Sequence, residues 1–253
     1  MITQDQFPKP FFWIDDYIVH SYHTNFTRRL TIPSIFSFLQ ESAWHHATSN
    51  GFGWQELMDK EQIWALSVVK VKVERLPEWN EKLRLLTWSK GGKGLYAYRD
   101  FELFDTGGQK LVSATSAWLI LDAKNRKPQR TDSFDKEFPS CSTRSSVNEP
   151  IGRERENKQE KPTCSSYFNI KASDIDMNGH VNNVCYVRWV LDAFSARFLQ
   201  KNAVKEINVS FLAEAKEGDS VGVSLTEEQS KKYLATVIRE ADKKELAKVK
   251  ILF

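Results

Sequence analysis

What most limits how this chain can fold is that one order of elements occurs twice. Residues 32–49 carry a helical face of Ile35, Phe38, Leu39 and Ser42, and residues 183–199 carry a second helical pattern. A strand-like segment precedes each helix, over residues 11–25 and 167–172. Alternating strand patterns follow, over 67–76, 82–88, 96–104 and 111–121 in the first half and over 204–215, 220–227, 231–239 and 245–253 in the second. Laying IPSIFSFLQESA of residues 32–43 on NNVCYVRWVLDA of residues 182–193 matches apolar largely with apolar, the mark of a diverged duplication.

A long helix followed by mostly antiparallel strands buries its apolar face by lying against their sheet. The expected fold is therefore α+β, a double hot-dog of two tandem repeats, each an antiparallel sheet wrapped around a long helix. Residues 1–122 are expected to form the first repeat and residues 164–253 the second. Residues 123–163 are rich in Lys, Arg, Glu, Ser and Pro and poor in apolar side chains, so they read as a charged linker that cannot bury itself. A hydrophobic content of 41% suffices for two cores, and 16 Phe, eight Trp and seven Tyr could also wall an apolar ligand pocket.

Charge narrows the partners. Lys and Arg total 36 against 33 Asp and Glu, a formal +3, which is too even for a dedicated nucleic-acid binder. The one dense basic run, Lys124, Arg126, Lys127 and Arg130, is either a solvated loop or a rim for an acidic partner. Cys141, Cys164 and Cys185 are odd in number and lack metal-type spacing, so neither a disulfide framework nor a zinc site is expected. His20, His23, His45 and His46 come without carboxylates at ligand spacing, and no metal or other cofactor is expected. With no leader-like N-terminus and no run near about 18 uninterrupted apolar residues, the expectation is a cytoplasmic protein without membrane insertion. A homodimer is compatible with these features.

The polar residues concentrate at the second helix entry, DIDMNGHVNNVCYVRWVLDAF over 174–194. Asp176, Asn178 and His180 fall on every second residue, so in an extended segment they would share one side. His180 can exchange a proton near neutral pH, and a helix opening behind it offers backbone N–H groups to a developing negative charge. Asn182 and Asn183 are candidates for substrate contact or for the helix N-cap. Activating water without a metal calls for a further acid, and Glu214, at the end of the strand pattern 204–215, is the candidate. In the sequence match, Arg28 falls on Asn178 and Leu30 on His180, so the first half lacks the constellation.

The 174–194 segment resembles the signature of the acyl-acyl-carrier-protein (acyl-ACP) thioesterases, the family that includes plant plastid fatty acyl-ACP thioesterases and bacterial relatives. ERLPEWNEKLRLLTWSKG of 74–91 and RDFELFDTGGQKLVSATSAWLILD of 99–122 are also similar to first-repeat segments of that family. The resemblance implies hydrolysis of the thioester between a fatty acyl chain and the phosphopantetheine arm of acyl carrier protein. It also implies that Asp176, Asn178, His180 and Glu214 are catalytic and that the first repeat, with Trp64 and Trp118 as candidate walls, shapes the acyl pocket. Plant members often carry a cysteine directly after the glutamate; Ala215 stands here, which favours activated water over a cysteine nucleophile. Alternatives to be separated are a hot-dog dehydratase or hydratase acting on acyl thioesters and a non-catalytic acyl-thioester-binding lipid sensor.

Overall fold

The computed structural model describes residues 2–153 and 164–253, and the chain divides into two compact units at Ile151/Gly152. The first unit contains β1 (Phe12–Ile18), α1 (Ile32–Ser49), α2 (Trp54–Asp59), β2 (Gln62–Val73), β3 (Lys82–Lys93), β4 (Tyr96–Asp105), β5 (Lys110–Asp122), β6 (Pro128–Gln129) and α3 (Asp132–Glu137). Its strands run antiparallel in the order β1-β3-β4-β5-β2, with β6 paired to β5. α1 starts where Thr31 accepts the Ser34 N–H at 3.2 Å, and Pro33 suits the first turn, where no intrahelical donor is needed. Ile32, Ile35, Phe36, Phe38, Leu39, Ala43 and Ala47 form its buried stripe, and the helix packs on β1 and β3.

The boundary expected at residue 122 is corrected. Residues 128–147 belong to the first unit, because Phe134, Phe138 and Val147 are buried in it. The following polar stretch is tied across the sheet: Cys141 N–H donates to Ser89 O at 2.8 Å, and Ser146 donates from its N–H to Asp100 Oδ2 at 2.7 Å and from its hydroxyl to Phe101 O at 2.7 Å. Arg144 pairs with Glu102 and presents its carbonyl to the Trp88 indole at 3.3 Å. The polar composition that suggested a solvated linker supplies partners for carboxylates buried on β4. Of the expected linker, residues 154–163 lie outside the described residues.

The second unit contains β7 (Ser166–Asn169), α4 (Asn183–Asp192), α5 (Ala196–Lys201), β8 (Glu206–Phe211), β9 (Ser220–Gln229), β10 (Lys232–Arg239) and β11 (Glu245–Leu252), ordered β8-β11-β10-β9-β7 and antiparallel throughout. Val187 and Val190 of α4 are fully buried, as are Ile207, Val209, Val221, Val223, Ala235, Val237, Leu246 and Val249 of the strands. The helix expected over 183–199 is broken. Ser195 caps α5 by accepting the Phe198 N–H, and the break lets Phe194 and Phe198 both pack on Tyr233 and Phe253, with ring centroids 4.9–5.8 Å apart.

The two units repeat each other down to single hydrogen bonds. A 3-10 turn (Ser21–His23 or Ala172–Asp174) leads to a bridge, Thr24 to Leu30 or Ile175 to Val181, and then to an N-cap, Thr31 or Asn182. The cap amide donates back to the last residue of the 3-10 turn in both, Thr31 to His23 O and Asn182 to Asp174 O. This register differs by one residue from the sequence match, so Arg29, not Leu30, occupies the His180 slot. Ile18 pairs with Lys82 and Asn169 with Ser220 at equivalent sheet positions, which places Leu76 in the Glu214 slot.

Burial dictates the protonation state of one histidine in the first unit. His46 is fully buried, with Nε2 2.7 Å from Pro10 O and Nδ1 2.9 Å from Arg99 Nη1. Arg99 can only donate, so Nδ1 accepts and Nε2–H donates, which requires a neutral ring. Burial, reinforced by the Arg99 charge, pushes its pKa from 6.5 down to about 3. Between those values the unfolded chain binds a proton that the folded chain does not. The stability linked to His46 is therefore complete above pH 6.5 and declines as pH falls toward 3. Denaturant unfolding of the first unit should shift to lower midpoints across that window, and His46→Gln should flatten this part of the profile; equal slopes in the two proteins would refute the assignment.

Candidate active site

The site is built on the turn entering α4. The expectation of an extended segment with three aligned side chains is corrected, because Asp176 closes a tight turn. Its Oδ1 accepts the N–H of Asn178 at 2.8 Å and of His180 at 3.4 Å, while its backbone N–H donates to His180 O at 2.8 Å and its O accepts from Gly179 at 3.0 Å. Gly179 takes φ +75, a region that costs a residue with a side chain about 1 kcal/mol or more. Asn25 does the same work in the first unit by accepting the Thr27 N–H at 2.9 Å, and Arg28 holds the positive φ of 60. Asp176 is thus a turn-forming residue whose carboxylate holds the amides of two candidate catalytic residues.

Glu214 comes from the other side. It does not lie on the strand, as its pattern suggested, but three residues beyond β8. The ladder stops where Leu246 O accepts the N–H groups of both Leu212 and Ala213, at 2.8 and 3.2 Å. The released chain brings Glu214 Oε2 to 3.5 Å from His180 Nε2. His180 keeps 25% of its side chain exposed and Glu214 48%, so solvent reaches the carboxylate while the imidazole is mostly shielded. At 3.5 Å the pair lies just outside direct hydrogen-bond reach, close enough to pass a proton through one bridging water or after a small approach when substrate binds. In the first unit the corresponding pair is Arg29 and Leu76, which cannot do so.

The asparagines divide in role. Asn182 is the N-cap, its Oδ1 accepting the Val184 N–H at 3.0 Å, and its carbonyl takes the Cys185 N–H at 2.9 Å. Two of the helix-start amides expected to face an oxyanion are therefore already engaged. Asn183 is the first residue of α4 and Asn178 is exposed at the turn. Cys185 is buried, its thiol facing Asp174 Oδ1 at 3.6 Å, and burial pushes its pKa up to about 11, the opposite of what a thiolate nucleophile needs.

Other candidates lie elsewhere in their own units. Trp64 donates its indole N–H to Phe52 O at 3.0 Å and packs edge-on against Trp118 and Phe134, beside a cluster of Ala47, Phe52, Leu57 and Phe138; Trp118 donates to Ser116 Oγ at 2.8 Å. Lys124, Arg126 and Lys127 form the turn between β5 and β6, Lys124 pairing with Glu61, and Arg130 pairs with Asp132. A cavity of about 430 Å³ opens in the second unit beside Tyr167, Phe168, Lys171, Arg188, Trp189 and Asp192, and none of the four candidate catalytic residues lines it. Among the described residues, no group of three or more His, Cys, Asp or Glu side chains is placed to hold a metal, and no helix is long and apolar enough to cross a membrane.

The acyl-ACP thioesterase N-terminal domain model matches residues 12–137, and the C-terminal domain model of the same family matches residues 156–253. The chain belongs to the acyl-ACP thioesterase family. It is 27% identical over 235 residues to an oleoyl-acyl carrier protein thioesterase of Arabidopsis thaliana, covering 86% of this chain and 64% of that protein. A palmitoyl-acyl carrier protein thioesterase of the same plant is 27% identical over 226 residues, covering 83% and 54%. The chain thus spans less than two thirds of the length of these relatives. Among solved structures, an acyl-ACP thioesterase from Bacteroides thetaiotaomicron has a TM-score of 0.86 at 23% identity over 100% of both chains. A 12:0-ACP thioesterase from Umbellularia californica has a TM-score of 0.81 at 20% identity over 95% and 96%. These two likenesses are of fold, and they agree with the two hot-dog repeats described above. Residues 123–137 fall inside the N-terminal family match, as they fall inside the first unit.

Sequence reasoning missed Tyr186 and Arg239. Tyr186 Oη accepts the N–H of Ala215 at 3.1 Å, and Arg239 Nη1 donates to the Glu214 carbonyl at 3.3 Å. The one available signal was a tyrosine on the apolar face of a helix, where the buried hydroxyl needs a partner. Because Asn25 closes the equivalent turn, Asp176→Asn should keep it, whereas Asp176→Ala should open it. Amide hydrogen exchange at Asn178 and His180 checks this: fast exchange in the asparagine variant, or unchanged protection in the alanine variant, would contradict the turn-forming role.

Proposed function

We propose that this chain hydrolyses the thioester between a fatty acyl chain and the phosphopantetheine arm of acyl carrier protein, releasing free fatty acid and holo-carrier and so ending chain growth in fatty acid synthesis. Family membership supports the reaction class. The observation that carries the assignment to a site is the approach of His180 Nε2 to Glu214 Oε2 at 3.5 Å in the second repeat, against Arg29 and Leu76 in the first.

Glu214, assisted by His180, orients a water molecule and takes its proton as it attacks the thioester carbonyl; the tetrahedral intermediate then breaks its C–S bond, and the departing phosphopantetheine thiolate takes that proton back from the His180 and Glu214 pair. Asn178 steadies the oxyanion with its side-chain amide, helped by the positive end of α4. Asp176 holds Asn178 and His180 in place through their backbone amides, a positioning task that leaves general-base duty to Glu214. Ala215 offers no thiol beside the acid, and the raised pKa of Cys185 argues against that thiol as a substitute. No cofactor enters this chemistry. The first repeat, with Trp64 and Trp118 in its aromatic cluster, is proposed to bound the acyl chain. Three free thiols support a reducing compartment, the cytoplasm, as the place of action.

The test is hydrolysis of defined acyl-ACP substrates, followed both as thiol release and as free fatty acid. Glu214→Ala and His180→Ala should each slow turnover on the order of 10²- to 10⁴-fold. Parental rates in both variants would remove the site. Substrate consumption without thiol release would point to hydration or dehydration instead.

A further inference from the structure

We propose that Tyr186 is a positioning residue for Glu214, acting through the backbone of Ala215, with Arg239 holding the adjoining carbonyl. This rests on the proposed role of Glu214 as the acid that activates water.

Glu214 sits on a segment that has left its ladder, so the sheet no longer determines its position. Arg153 donates to the carbonyls of Phe211 and Leu212 at 2.7 and 2.9 Å where the segment leaves the strand, and at Glu214 and Ala215 themselves two groups from other elements take hold. From α4, the Tyr186 hydroxyl accepts the Ala215 N–H at 3.1 Å, and the Tyr186 ring meets Phe211 edge-on at 5.7 Å between centroids. One side chain therefore brackets the chain from the end of β8 to the residue after the acid. From β10, Arg239 reaches the Glu214 carbonyl at 3.3 Å while its guanidinium is steadied by Asp242 at 2.7 Å and Asp219 at 3.7 Å. Tyr186 and Ala215 are both buried, so this hydrogen bond is shielded from competing water. Burial also raises the phenol pKa, which keeps the hydroxyl neutral across the working range.

The first repeat serves as an internal control. Counting from the N-caps, Thr31 and Asn182, the slot of Tyr186 holds Ile35, which packs but has no hydroxyl. Counting from the paired strands, the slot of Ala215 holds Pro77, which has no N–H, and the slot of Arg239 holds Asp105. The repeat that lacks the His180 and Glu214 pair thus lacks both members of the hydrogen bond and the cation as well. If the phenol at this position were needed only to fill the hot-dog core, Ile35 shows that an aliphatic side chain does so.

Tyr186→Phe keeps the ring and removes only the oxygen, so the fold should survive, as checked by circular dichroism and thermal unfolding. In steady-state hydrolysis of acyl-ACP, kcat should fall on the order of 10- to 100-fold, the range expected when a catalytic group is misplaced by about an ångström, with KM changed less than about twofold. In single-turnover assays, adding Tyr186→Phe to Glu214→Ala should cause little further loss, because the group it positions is already gone. Unchanged kcat in Tyr186→Phe, a loss confined to KM, or full additivity with Glu214→Ala would overturn the proposal. If Glu214→Ala itself hydrolyses at the parental rate, the proposed active site falls and this role with it. A slowed Glu214→Ala beside an unslowed Tyr186→Phe removes the positioning role alone.

Discussion

The capture of backbone amides by one short side chain at the helix entry is the interaction on which the rest of the site depends. Asp176 takes the N–H groups of Asn178 and His180, and Asn25 takes that of Thr27 in the matching turn. Each turn ends in a bridge and then an N-cap, so helix, turn and sheet edge are registered together. Without that closure the amides would turn to water, and neither Asn178 nor His180 would have a defined direction. The same device thus supports a structural turn in one repeat and a candidate catalytic turn in the other.

What distinguishes the repeats is a small set of side chains on a shared scaffold. His180, Glu214, Tyr186, Ala215 and Arg239 stand where Arg29, Leu76, Ile35, Pro77 and Asp105 stand in the first repeat. Each exchange removes something the proposed chemistry uses: a proton carrier, an acid, a hydroxyl, an amide and a cation. The first repeat has instead deepened its core, with Phe52, Phe134 and Phe138 packed around Trp64 and with residues 139–147 tied across its sheet.

Much of this was legible in the sequence because it is periodic. α1 matches its expected span, since a threonine cap, an early proline and a regular apolar stripe all agree. The four strands that follow it were legible for the same reason. What failed was non-periodic. The alternation of Asp176, Asn178 and His180 imitates a strand, yet an aspartate two residues before an asparagine and three before a glycine is also a turn signal. Apolar positions align the two halves one residue out of register, whereas the N-caps Thr31 and Asn182, which the two repeats share, set the structural register. Glu214 is legible as the further acid that His180 calls for, but its place beyond the strand is not, because nothing local announces that Leu246 ends the ladder. Residues 139–147 read as solvated because their composition is polar, yet Cys141 bonds to β3 and Arg144 and Ser146 bond to β4, pairings that composition cannot register.

The central claim is that Glu214 and His180 activate water for direct attack, without an acyl-enzyme. A single turnover of acyl-ACP in ¹⁸O-water with enzyme in excess tests it most directly. The account predicts ¹⁸O in the free fatty acid from the first turnover, no ¹⁸O in the peptide containing Glu214, and no acylated protein by intact mass in rapidly quenched samples. Label in that peptide, or an acyl adduct on the protein that forms and decays at the turnover rate, would contradict it.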